Sequence, residues 1–148
     1  MKKNYHYLLF ALLAFAACTK TNETSTVPLN ETIPPAGGGS EKDTVMLKPT
    51  GSFINGPYGN VTGTAKVVLQ NGKYILALEN VNISNGPDLH VYLSKEVQPV
   101  NFIDLGKLKS TSGNQLYDIN GSPDFVAYKY ALVHCQQYNH LFGSAELK

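Results

Sequence analysis

The chain has 148 residues, with 12 basic side chains against 11 acidic ones, a formal charge of +1, and lysine at every basic position. Charge so nearly balanced, and without arginine forks, leaves no footprint for nucleic acid. There is no internal repeat, no phosphate-loop signature and no dinucleotide-binding glycine pattern. Nor is there a Ser-His-Asp order, a zinc-protease HExxH or an interpretable carboxylate pair, so a hydrolase is not expected.

Lys2 and Lys3 precede an uncharged apolar run from Leu8 to Ala17. That run is far shorter than the ~20 residues of a membrane-spanning helix. Ala16 and Ala17, both small, lead directly to Cys18. This order resembles the export signal of bacterial lipoproteins, with Phe15 where leucine is more usual. The resemblance implies a signal peptide over 1–17 and lipidation of Cys18, with palmitate-class chains inserted in the membrane. Thr19 in place of aspartate implies the outer membrane of a Gram-negative cell envelope. Several acyl chains make a stable anchor where one is marginal. The alternative is an ordinary secretory signal with Cys18 near the cleavage site. Cleavage leaves ten lysines against eleven acids, a formal charge of −1.

Residues 19–44 are rich in Thr, Asn, Glu, Pro and Gly, with Pro34-Pro35 and Gly37-Gly38-Gly39-Ser40. Too few apolar side chains are present to offset ordering entropy, so 18–44 is expected to be a flexible, lipid-anchored linker. The sequons at Asn22, Asn60 and Asn82 read as chance matches in a bacterial lipoprotein.

From about Val45 to Lys148 the periodicity is that of strands. Val61–Leu69 and Lys73–Glu79 flank Asn71-Gly72, the strongest short hairpin signal, because a type I′ turn needs positive φ twice. Further strands are expected over Leu89–Leu93, Phe102–Leu108, Gln115–Ile119, Phe125–His134 and His140–Leu147. Asn85-Gly86-Pro87-Asp88, Ser112-Gly113-Asn114 and Asn120-Gly121-Ser122-Pro123 separate them as turns. In the first of these, proline presets φ, glycine supplies positive φ and aspartate caps its own backbone. No helical period is sustained. The fold class is all-β: one β-sandwich or small open barrel of seven or eight strands over 45–148. With Cys18 lipidated, only Cys135 remains, so this unit should fold without a disulfide.

The run Asn85–Leu93, then Asp104-Leu105-Gly106-Lys107-Leu108-Lys109, then Gly113–Tyr117, then Tyr128–Cys135 and Phe142–Leu147, resembles the DM-thirteen domain, often called the electron-transfer DM domain. The resemblance runs from about Thr50 to Leu147. It implies an all-β fold and a redox role for a hallmark cysteine, as a bare thiol or as a haem ligand. Cys135 falls where that cysteine belongs.

The residues themselves leave the role of Cys135 open. Strand alternation puts Ala131, Val133 and Cys135 on one face, and Tyr130, Leu132 and His134 on the other. A free cysteine behind two small apolar side chains suits an inert core position. A thiolate beside a protonated imidazole would be reactive. His134 points away on a regular strand, so His140 is the better neighbour. His90, Cys135 and His140 also resemble the ligand order of cupredoxins, and two imidazoles with a thiolate suit copper, but no methionine follows His140. A haem would be noncovalent, since no Cys-x-x-Cys-His motif exists. The cofactor is therefore noncovalent haem, copper or none. The partners are the membrane, through lipid on Cys18, and a redox protein. The competing function is a non-enzymatic binding module in which Cys135 is packing and the loops at Asp88 and Tyr138 hold a ligand. Either way, an electron-transfer or binding module is expected rather than a stand-alone enzyme.

Overall fold

The computed structural model describes residues 23–34 and 46–148; Cys18, the apolar leader and the glycine run lie outside them. The described strands are β1 (Leu29–Asn30), β2 (Met46–Asn55), β3 (Val61–Gln70), β4 (Lys73–Ile83), β5 (Leu89–Ser94), β6 (Phe102–Lys107), β7 (Ser112–Ile119), β8 (Tyr130–Cys135) and β9 (His140–Glu146). The all-β class holds, with no helix among the described residues. Nine strands replace the expected seven or eight. The additions are β1, whose two residues are too few to show alternation, and β2, whose run is interrupted by Pro49 and Gly51. The strand expected from Phe125 begins at Tyr130 instead; Asp124 accepts the Val126 amide on its side chain and the Tyr128 amide on its carbonyl, closing a turn first.

The strands form one curled sheet in the order β1-β7-β4-β3-β2-β9-β8-β5-β6. β2 is the hinge between its halves. Met46–Ser52 pairs with β3, whereas Phe53–Asn55 pairs with β9. At the crossing Gly51 lies against the Glu146 backbone, too close for a side chain. The curl brings Phe53, Val67, Leu76, Leu78, Leu89, Val91, Leu93, Tyr117, Val133 and Cys135 into one core on its inner side. Asn71 (φ 49°) and Gly72 (φ 75°) make the expected left-handed pair between β3 and β4.

Residues 23–34, placed by their composition in the flexible linker, lie along the outer edge of β7 as a strap. β1 pairs with it in parallel, Leu29 opposite Gly113 and Asn30 opposite Asn114. The Thr111 amide donates to the Ser25 carbonyl (2.8 Å) and the Glu31 amide to the Asn114 carbonyl (3.1 Å). The Glu31 carboxylate accepts from the Leu116 amide (2.7 Å) and from Lys109 Nζ (2.9 Å). Burial opposes the charge on Glu31, but the Lys109 and Leu116 bonds outweigh it and hold the carboxyl below the usual range. Backbone bonding of this kind needs no apolar pattern, which is why composition did not show it. At its start the strap reaches the 85–88 turn, where Glu23 bridges to Pro87.

Candidate functional site

β5 and β8 pair antiparallel, with Leu89 opposite Cys135 and His90 opposite His134. Alternation then sorts these residues onto two faces. Leu89, Val91, Val133 and Cys135 enter the core, whereas Tyr92 and Leu132 belong to a second, outer cluster with Leu141 and Tyr130. His134 stacks on Tyr92 in that outer cluster (ring centroids 5.3 Å apart), and Phe102 also stacks on Tyr92 (4.3 Å). Cys135 and His134 therefore sit on opposite faces.

Cys135 is 1% exposed. Its thiol donates to the Pro87 carbonyl at 2.8 Å. The Asp88 carbonyl in turn accepts the Gln136 amide (3.0 Å), so the 85–88 turn closes over the end of β8. The positive φ in this turn falls on Asp88 (53°), not on Gly86 as the sequence suggested. Gly86 is needed for a different reason: a Cβ there would strike the Phe142 ring.

His140 is the backbone partner of Cys135. Its ring, however, lies flat on Tyr58, with centroids 3.7 Å apart and planes 1° apart, and Tyr138 tilts against it at 5.8 Å. His90 is held by Asp104, whose two oxygens lie 3.1 and 3.0 Å from Nδ1. A carboxylate can only accept, so Nδ1 carries the proton. His90 Nε2 is buried without a hydrogen bond, 3.5 Å from Asp88 Oδ1. Lys107 lies 3.2 Å from the same Asp88 oxygen, and its hydrogen bond outweighs burial to hold the Asp88 carboxyl below the usual range.

These positions do not fit a cupredoxin-like copper. His90 and His134 leave the sheet on the face opposite Cys135, and among the described residues no three His, Cys, Asp or Glu side chains converge on one ion. Haem ligation by Cys135 fits no better, because the sulfur is enclosed by core side chains and the Pro87 carbonyl. Tyr138 is exposed on the 136–139 turn, and Asp88 is half-buried against Lys107 and His90. Sequence reasoning missed Pro87, Tyr92, Asp104 and Tyr58. Only Tyr92 carried a signal, being on the same strand face as His90.

Both ring nitrogens of His134 are buried without partners. Burial first, then the neighbouring His140 and His90 rings, push this imidazole below its ordinary value of 6.5; Asn139 works the other way. The unfolded chain therefore binds this proton more readily than the folded one. The resulting stability is present above the ordinary imidazole value and is lost on acidification through it. Urea unfolding of wild type should weaken between pH 7.5 and pH 5.5 more than that of His134→Phe, which keeps a ring against Tyr92 but cannot titrate. Equal pH slopes in the two proteins would refute this assignment.

The family model described as Electron transfer DM13 matches residues 52–147. No curated protein and no solved structure matches the chain.

Proposed function

Since the chain belongs to the Electron transfer DM13 family, we propose that it is a membrane-tethered, extracytoplasmic electron-transfer domain whose working group is the Cys135 thiol. Lipid on Cys18 holds it in the cell envelope, at the outer membrane, where it exchanges electrons with a redox partner protein. The observation that carries this reading is the place of Cys135 under the 85–88 turn. The sulfur is one short loop from solvent, and that loop is held by the thiol's bond to Pro87, the Gln136 amide on the Asp88 carbonyl and the Glu23 bridge. Lifting that turn exposes the thiol without opening the sheet. With no second cysteine in the domain, oxidation ends as a mixed disulfide with a partner that itself carries a disulfide. The Cys135 thiolate attacks the partner's disulfide, one S–S bond forms as the other breaks, and the partner's sulfur leaves as thiolate.

The 1% exposure of Cys135 favours a second reading, in which the sulfur is packing and the domain binds a ligand or protein. Cys135→Ser separates the two. A serine hydroxyl can donate to Pro87 as the thiol does, so the variant should unfold within about 1–2 kcal/mol of wild type. If Cys135 is the working group, native protein reacts with small thiol reagents and the serine variant loses electron exchange in envelope membranes. Full exchange by the serine variant would hand the function to the binding-module reading. Cys18→Ser tests the tether in parallel: it should release the protein from membranes or leave it unprocessed.

A further inference from the structure

We propose that the Cys135 end of the domain is a membrane-contacting surface, with Tyr58 and Tyr138 seated among lipid headgroups; this rests on lipidation of Cys18. The strap fixes Glu23 beside Pro87 through a backbone bridge. Cys18 lies only five positions earlier in the sequence. Five extended residues span at most about 17 Å. β3 leaves this end and β4 returns to it, over 10 and 11 residues, and strands of that length extend roughly 33 Å. An anchor at Cys18 therefore reaches the Cys135 end easily and the opposite end not at all. The strap turns what composition suggests is a long spacer into a short leash with a fixed point of attachment.

The chemistry of the two ends agrees with this orientation. The loops 55–60 and 136–139 and the 84–87 stretch contain no charged side chain. Tyr58 and Tyr138 stand out from them, 57% and 56% exposed, and both rings neighbour that of His140. Of the charges nearest the turn, Asp88 and Lys107 neutralise each other, and Glu23 on the strap is exposed to water. The opposite end gathers Lys73, Lys95, Glu96, Asp124, Lys129 and Lys148. A tyrosine presents an apolar ring and a polar tip, the combination that settles at the boundary of water and hydrocarbon. Exposed apolar area alone does not select the end, since Val126, 86% exposed, lies at the charged one.

The chain has no tryptophan, so one introduced ring is a unique reporter. Tyr138→Trp, Tyr58→Trp and Val126→Trp would each be made in the full lipidated protein and reconstituted into phosphatidylcholine vesicles with brominated acyl chains. Tyr138→Trp and Tyr58→Trp should lose emission to the bromines and shift to the blue, while Val126→Trp should keep its emission. Equal quenching at both ends, or stronger quenching at Val126, overturns the orientation. If the protein floats with the vesicles but neither tyrosine position is quenched, the tether stands and the membrane-contact surface falls, leaving that end to a protein partner. If wild-type protein does not float at all, the lipid anchor itself is lost, and the orientation with it.

Discussion

Gly51→Ala is expected to lower unfolding free energy by about 3 kcal/mol, at the upper end of what overpacking costs. Gly51 sits where β2 leaves β3 and joins β9, and an added Cβ would meet the carbonyl oxygen and carbonyl carbon of Glu146. Those atoms are backbone and cannot swing aside as a side chain would. Relief requires β2 and β9 to separate, which strains the pairs Phe53–Ala145, Ile54–Ser144 and Asn55–Gly143. It also strains the reciprocal bonds between Thr50 and Lys148, each 3.0 Å. Chemical denaturation monitored by circular dichroism reads the change directly. A loss below about 0.5 kcal/mol, the scatter of ordinary surface changes, would mean that the two strands yield at this point.

Removing residues 23–34 is the second large perturbation. A chain begun at Met46 should still fold cooperatively and without any effect of reductant, since Cys135 is the free cysteine of the described residues. It should, however, be less stable by roughly 2–4 kcal/mol, from several hydrogen bonds at about 1 kcal/mol each. The lost partners are the Ser25 carbonyl, the Asn114–Glu31 backbone bond and the Glu31 carboxylate on the Leu116 amide. Ser110, now fully buried with its hydroxyl on the Val27 carbonyl, would lose its cover. β7 would become an open edge, a template for pairing with a second chain. Sedimentation should therefore show concentration-dependent association that the strapped protein lacks. A truncated protein of unchanged midpoint and monomeric at all concentrations would show that the strap adds nothing to the fold.

Much of the second half of the domain was legible because its strands alternate between turns of unambiguous chemistry. Asn71-Gly72 marked the β3–β4 hairpin, and β5 and β9 fall within one residue of the expected runs, while β7 takes in the expected turn at 112–114 and β8 starts five residues late. The strap was not legible, since its attachment is made by backbone groups and one glutamate rather than by apolar side chains. The outer cluster was hidden for another reason. His90, Tyr92 and Ser94 alternate with the core residues Leu89, Val91 and Leu93, yet they too are buried, 8%, 2% and 0% exposed. Aromatic neighbours on adjacent strands cover that face, and no single-strand pattern reports its neighbours. At His140 sequence proximity pointed to the right neighbour: register sets it opposite Cys135, while the stacking of its ring on Tyr58 was not legible.

The handover of β2 from β3 to β9 has a consequence for how the chain folds. β2, β3, β4 and β7 can pair as soon as they exist, and the first two hairpins are local. The half built from β5, β6, β8 and β9 has its own local pairs, yet it joins the first half through β9 meeting Phe53–Asn55. That contact closes nearly the full length of the domain, and entropy for so long a loop must be lost before any bond rewards it. Folding should therefore be slow for a chain of this size, with the last strand as its latch. A chain threaded outward from its N-terminus would present β2 to water until β9 had followed. For that interval Phe53 and Ile54 are the segment most in need of protection from other chains.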